Sequence, residues 1–152
     1  MNPKPPLNYL IDFWTIKRTT AIAFLEAAKG IRNPTKTGVI LFNFHQLTEQ
    51  ICLGLIGVFL NYYPTYFHLN YLFDICSHFT DLISNLFLSK DENEKRVFEL
   101  LVKNPSQIRK DKPLLLHDTE ILTLQNILEK FIEESNLLVN HKISIYKNSV
   151  SY

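Results

Sequence analysis

An apolar run from Ile51 to Leu60 contains no charged residue and ends a longer apolar segment that begins at Gly38. A helix that crosses a membrane needs about 20 apolar residues in succession. Here a polar stretch from His45 to Gln50 interrupts the segment near its middle. A helix that is apolar on nearly all sides is typical of the central member of a helical bundle. The sequence therefore predicts that residues 38–60 form a core helix and not a membrane span.

Apolar residues recur at spacings of three, four and seven in four further segments, which is the periodicity of helices with one buried face. The predicted helices cover residues 8–29, 38–60, 66–88, 94–108 and 118–139, and the third is expected to bend or break between Ser77 and Asp81. Gly30 is the expected C-cap of the first, and Asp118 or Thr119 the expected N-cap of the last. Five helices joined by short loops predict an all-α, up-and-down bundle.

The composition suits a single domain spanning residues 1–152, with a core over about 9–139 and a polar, frayed tail at 140–152. Hydrophobic residues make up 46% of the chain and charged residues 20%, so a buried core can form. The formal net charge of +1 argues against a protein that coats nucleic acid through bulk charge. Two cysteines and no recognisable secretion signal predict a cytoplasmic protein.

Two pairs of small residues in the apolar helices carry expectations about packing. Gly54 and Gly57 predict close approach by a neighbouring helix or by a partner subunit, at a cost of about 1 kcal/mol each in helix propensity. Cys52 and Cys76 lie on apolar helix faces and are expected to be buried thiols.

The polar group in the core helix is the first candidate site. A carboxylate on so apolar a helix needs a partner, so Glu49 is expected to pair with Arg18 or Arg109. The alternative is that His45, Gln46, Glu49 and Arg109 form a pocket for a nucleotide or phosphate, since Arg suits phosphate. His45 and Glu49 are four residues apart, as two metal ligands can be, but no third ligand is placed by spacing. Neither a metal nor a cofactor is predicted.

Four aromatic residues around a proline are the second candidate site. Tyr62, Tyr63, Tyr66 and Phe67 flank Pro64, and four such side chains are difficult to bury together. We expect them to form a contact surface for a partner, and we expect the chain to form a homodimer.

A resemblance to a known family comes from three motifs in succession. The segment Phe42-Asn43-Phe44-His45-Gln46-Leu47-Thr48-Glu49-Gln50 is followed by Tyr62-Tyr63-Pro64 and then by His68-Leu69-Asn70-Tyr71-Leu72-Phe73. This order resembles the HEPN domain family, the helical partner of minimal nucleotidyltransferases, and the similarity extends from about Tyr9 to Phe131. It implies an all-α binding module that pairs with a nucleotidyltransferase-type protein, binds nucleotide or RNA, and self-associates. The resemblance also implies a place in a toxin–antitoxin-like system.

The chain departs from the pattern of the family's ribonucleases, which carry an Arg closely followed by a His. The nearest pair here is Arg109 and His117, with seven residues between them, and Pro113 interrupts the intervening segment. The sequence therefore favours a non-catalytic binding module. The alternatives are a toxin-type ribonuclease that uses Arg109 and His117, and a purely structural protein-interaction bundle.

Overall fold

The computed structural model describes residues 5–31, 37–65, 68–88, 91–103 and 116–150. The regular structure in these ranges is entirely helical, which confirms the predicted all-α class. Six helices occur there: α1 (Leu7–Lys29), α2 (Thr37–Leu60), α3 (Leu69–Cys76), α4 (Leu82–Phe87), α5 (Glu92–Val102) and α6 (Asp118–Val150).

Helix α2 is the central helix, and it packs against α1, α3, α5 and α6. Its buried side chains include Phe44, Leu47, Ile51 and Leu55, each at most 1% exposed. By length and composition α2 is apolar enough to cross a membrane. However, 61% of the most apolar 18-residue stretch of this helix is buried inside the protein. Its apolar surface therefore packs against the other helices of the chain, as the sequence predicts for a core helix.

Gly54 and Gly57 of α2 allow a helix of the same chain to approach closely. A Cβ placed on Gly54 would lie 2.7 Å from Cζ3 of Trp14, and a Cβ on Gly57 would collide with the ring of Phe13. Both aromatic residues belong to α1, which is packed along α2. Of the two predicted neighbours, the structure thus provides the intramolecular one, and these glycines do not supply a surface for a partner subunit.

The predicted third helix is divided into α3 and α4, and the break falls within the expected segment. Ser77 Oγ donates to the carbonyl oxygen of Phe73 at 2.9 Å, and Thr80 Oγ1 accepts from the N–H of Leu82 at 3.2 Å. Hydroxyl side chains that bond to nearby backbone compete with helix continuation. The break makes six described helices where the sequence predicts five.

Helix α5 ends earlier than predicted. Its C-cap, Lys103, has an extended backbone with φ −59° and ψ 141°, so the helix stops at Val102. The predicted extension over residues 104–108 lies outside the described residues.

Helix α6 contradicts the prediction of a frayed tail, because it continues as helix from residue 140 to Val150. Val139, Ile143 and Tyr146 recur at spacings of four and three, so they share one face. Val139 is fully buried, Ile143 packs against the core, and the Tyr146 hydroxyl donates to the carbonyl oxygen of Pro5. These contacts hold the last turns of α6 against the beginning of α1.

The N-terminal cap of α6 also differs from the prediction. The helix begins at Asp118, and Glu120 Oε1 accepts a hydrogen bond of 3.1 Å from the N–H of His117. This is the carboxylate half of a capping box, in which the third helical residue reaches back to the residue before the helix. Glu120 therefore has the capping role that the sequence assigns to Asp118 or Thr119.

Candidate functional site

His45 is buried and bonded to the backbone of another helix. It is 4% exposed, and its Nδ1 lies 2.7 Å from the carbonyl oxygen of Leu101. A carbonyl can only accept, so Nδ1 carries the proton. Leu101 belongs to the last turn of α5, where carbonyls lack a partner within the helix. Burial lowers the pKa of His45 below its ordinary value, and the bond to Leu101 opposes that shift. His45 therefore joins α2 to α5 as a neutral cap.

Glu49 is partly buried but does not pair with Arg18. No ion pair joins the two residues within the described structure, and the Arg18 Nε is buried without a hydrogen-bond partner. The cation that acts on Glu49 is Lys17, which lowers its pKa, while burial raises the pKa more strongly. Lys17 also lies on the α2 side of α1, with its Nζ 3.5 Å from Gln50 Oε1. The expected pairing with Arg18 is therefore not formed, and Arg109 lies outside the described residues.

The predicted nucleotide pocket is represented in the structure by three of its four residues. His45 is engaged with Leu101, whereas Gln46 and Glu49 are each partly exposed on α2. Neighbouring helical positions are separated by about 100° around the axis, so His45 and Gln46 face different directions. Because the position of Arg109 is not described, the four-residue pocket stays a prediction.

An aromatic patch forms where α1, α2 and α3 meet, and it comprises Tyr9, Phe13, Tyr62, Tyr63 and Tyr71. The Tyr9 and Phe13 rings stack with centroids 6.2 Å apart, and the Phe13 and Tyr63 rings meet edge to face at 5.4 Å. Tyr62 is adjacent to Tyr63 in the chain and interacts through its hydroxyl with Tyr71. Tyr9, Phe13 and Tyr63 thus make one group of contacting rings, and Tyr62 and Tyr71 form a second pair that follows it along the chain. Of the predicted contact residues, Tyr62 and Tyr63 belong to the patch, and Tyr66 and Phe67 lie outside the described residues.

The tyrosines of the aromatic patch are unusually accessible for large apolar side chains. Tyr9 is 48% exposed, Tyr62 45%, Tyr63 41% and Tyr71 40%. Burial of its hydroxyl, together with the neighbouring Tyr9 hydroxyl, raises the pKa of Tyr63 to about 12. The neighbouring Tyr62 hydroxyl raises the pKa of Tyr71. The Tyr63 and Tyr71 phenols are therefore uncharged at neutral pH, and they can donate or accept hydrogen bonds.

The backbone at the end of α2 positions two of these rings. Asn61 has a φ of 48°, the left-handed conformation that Asn tolerates better than most residues with a side chain. Its N–H donates to the Gly57 carbonyl oxygen at 3.1 Å, and its Oδ1 accepts from the Tyr63 hydroxyl at 3.2 Å. The turn ends the core helix and directs Tyr62 and Tyr63 to the surface.

Tyr9, Phe13 and Tyr71 belong to this surface although they are not among the predicted contact residues. Tyr9 and Phe13 are four residues apart on α1, so a shared face was readable from their spacing. The proximity of Tyr71 depends on how α3 packs beside the end of α2, which is a tertiary contact and leaves no local signal.

His117, Cys52 and Cys76 are the remaining candidate residues within the described structure. His117 is exposed just before α6, and its N–H bonded to Glu120, together with the Arg96 side chain, lowers the pKa of Glu120. Cys52 and Cys76 are buried, which confirms the prediction for both thiols. Burial raises the pKa of Cys52 and keeps it in the unreactive thiol form. Within the described ranges, no three His, Cys, Asp or Glu side chains are grouped as metal ligands would be.

No protein-family model matches the sequence, and no curated protein matches it. The aromatic patch and the motifs that resemble the HEPN family are the features of this chain that point to a function.

Proposed function

We propose that this protein is a non-catalytic, HEPN-like binding module that pairs with a nucleotidyltransferase-type partner through the aromatic patch. The single observation that carries the proposal is the set of four tyrosines, each at least 40% exposed, contributed by the beginning of α1, the loop after α2 and α3. The partner class comes from the sequence resemblance. Self-association as a dimer belongs to the same proposal, since the patch is a surface that a second copy can also cover.

The physical properties of the patch support recognition of a protein. Tyrosine is enriched at protein interfaces because it offers a large contact area, few rotatable bonds and one hydrogen-bonding group. Phe13 is partly buried, and the rings of Tyr9 and Tyr63 pack against it. Side chains that are already held in place lose less conformational entropy when a partner binds.

A second candidate function, binding of a nucleotide or RNA, is favoured by the surroundings of Lys17. Its Nζ lies 5.8 Å from the centroid of the Phe13 ring and 3.5 Å from Gln50 Oε1. An aromatic ring beside a cation and an amide is a combination that can stack on a base and contact a phosphate. This small group borders the aromatic patch, so one partner can contact both.

Calorimetric titration with a minimal nucleotidyltransferase from the same organism tests the proposal. We expect a stable complex with the parent, and at least a tenfold loss of affinity when Tyr62 and Tyr71 are both changed to Ala. Leu137→Ala is the matched control, because Leu137 is 59% exposed on α6 and lies outside the patch. An unchanged affinity in the tyrosine variant, or no complex with the parent, would contradict the proposal.

The ribonuclease alternative needs a separate experiment. It requires Arg109 and His117 to act together as a cation and a general base. We expect no cleavage when the purified protein is incubated with labelled single-stranded RNA. Cleavage by the parent that is lost in Arg109→Ala and in His117→Ala would replace the binding module with an enzyme.

A further inference from the structure

A cavity of about 320 Å³ lies between the beginning of α1, the end of α2 and the last turns of α6. Its floor is apolar and includes Leu10 and Val58, which are 4% and 6% exposed. Leu60 and Ile145 line its exposed rim. The volume is at the small end of the range of ligand sites, which begins at roughly 300 Å³. The cavity lies apart from the aromatic patch residues, none of which lines it.

The wall formed by α6 depends on the helical turns that follow residue 140. Ile143 and Tyr146 both line the cavity, and the Tyr146 hydroxyl donates to the carbonyl oxygen of Pro5, another lining residue. This bond joins residues that are 141 positions apart in the sequence. Residues 5–10 and 142–149 therefore supply two facing walls of the cavity.

The charge at the cavity is of one sign. Among the described residues that line it, Lys142 is the one charged side chain. Its Nζ lies 5.6 Å from the centroid of the Phe59 ring, also in the lining, and Lys142 forms no ion pair with a described residue. An ammonium group beside an apolar cavity and without a carboxylate partner favours an anion through charge complementarity.

We propose that this cavity binds an anionic amphiphile, a carboxylate with a single aliphatic chain of medium length. The aliphatic chain contacts Leu10, Val58 and Ile143, and the carboxylate accepts a hydrogen bond from Lys142. Burial of the aliphatic chain favours binding because it removes CH₂ groups from water. The cation at the edge of an apolar cavity distinguishes the acid from a neutral alcohol or a cationic amphiphile of the same length.

Calorimetric titration of the full chain with octanoate, octanol and octyltrimethylammonium tests the proposal. We expect octanoate to bind at least tenfold more tightly than either of the other two. Lys142→Met keeps the aliphatic stem and removes the charge, so it should weaken octanoate about tenfold and leave octanol within twofold. Lys130→Met is the matched control on α6, because Lys130 is exposed, does not line the cavity and should leave all three affinities unchanged.

Location is tested by substitutions at the rim. Leu60→Trp places a larger side chain at an exposed lining position, and it should abolish octanoate binding. Ile145→Trp is a second such variant, from α6, in case the first is unstable. Equal affinities for the three probes, unchanged octanoate binding in Lys142→Met or in both rim variants, or no binding by the parent would each overturn the proposal.

Discussion

The Nδ1 of His45 lies 2.7 Å from the carbonyl oxygen of Leu101, so a side chain of the core helix caps the C-terminal turn of α5. The two residues are 56 positions apart in the chain. Their bond satisfies one of the carbonyls that the end of a helix leaves without an intrahelical partner. A histidine that resembles part of a binding motif therefore also holds the bundle together.

Removal of this cap should destabilise the protein. We expect His45→Leu to lower the free energy of unfolding by about 1–3 kcal/mol, because the Leu101 carbonyl remains buried without a donor. Urea unfolding monitored by circular dichroism measures the difference. His141→Leu provides the control at an exposed position of α6. Equal midpoints for the parent and His45→Leu would contradict the capping role.

The same histidine should make stability depend on pH. Burial lowers the pKa of His45 below its ordinary value of 6.5, so the unfolded chain binds this proton more readily than the folded protein does. The contribution to stability is therefore complete above pH 6.5 and is lost as the pH falls toward the lowered pKa of the folded protein. We expect the parent to lose stability between pH 7 and pH 5 by more than His45→Asn does. Parallel pH profiles for the two proteins would show that His45 is not responsible.

Glu49 should have the opposite effect on the pH dependence of stability, lowering stability as the pH rises. Burial raises its pKa above the ordinary value of 4.5, so the charged carboxylate begins to cost stability as the pH rises above 4.5, and the cost is complete above the raised pKa. We expect Glu49→Gln to unfold at a higher urea concentration than the parent at pH 7, and at nearly the same concentration at pH 4. A lower midpoint at pH 7 would show that the carboxylate has an ionic partner, as the pairing with Arg109 predicts.

Close packing between α1 and α2 predicts contrasting effects of two glycine substitutions. A Cβ at Gly54 would lie 2.7 and 2.8 Å from two ring carbons of Trp14, whose Nε1 is fixed by a hydrogen bond of 3.0 Å to Asn136. Gly54→Ala should therefore destabilise by about 1–3 kcal/mol through overpacking, reduced by the better helix propensity of Ala.

Gly30→Ala serves as the comparison for Gly54→Ala. Gly30 has an ordinary φ of −75°, and the nearest atom to its added Cβ is 3.5 Å away. The substitution should be neutral or stabilising by up to about 1 kcal/mol. Thermal melts of the two variants check both statements, and a stabilised Gly54→Ala would contradict the packing.

The sequence predicts the bounds of a helix well where its buried residues recur at helical spacing. The bounds of α1 and α2 agree with the sequence to within one residue, and the break after Cys76 falls where polar residues cluster. The predicted end of α6 at residue 139 is wrong. Polar residues predominate after residue 139, so the helical spacing of Val139, Ile143 and Tyr146 is difficult to recognise among them. Their burial depends on contacts with the beginning of α1, which no local pattern records.

The candidate site could be predicted only in part for the same reason. The loop at Tyr62 and Tyr63 can be predicted as a contact surface, because four aromatic residues surround a proline there. Tyr9 and Tyr71 belong to the aromatic patch because α1 and α3 pack beside that loop. The hydrogen bond between His45 and the Leu101 carbonyl forms because α5 packs against α2. Each is a long-range contact that arises from the assembled bundle.

Hydrogen exchange of the amide groups, compared between the free chain and its complex with the nucleotidyltransferase-type protein, tests the central claim most directly. We predict that binding slows exchange in residues 7–13, 61–65 and 68–74, which carry the aromatic patch. Exchange in the exposed positions of residues 118–137 should not change. Protection confined to α6, or no protection in the three segments of the patch, would contradict the proposal that this surface receives the partner.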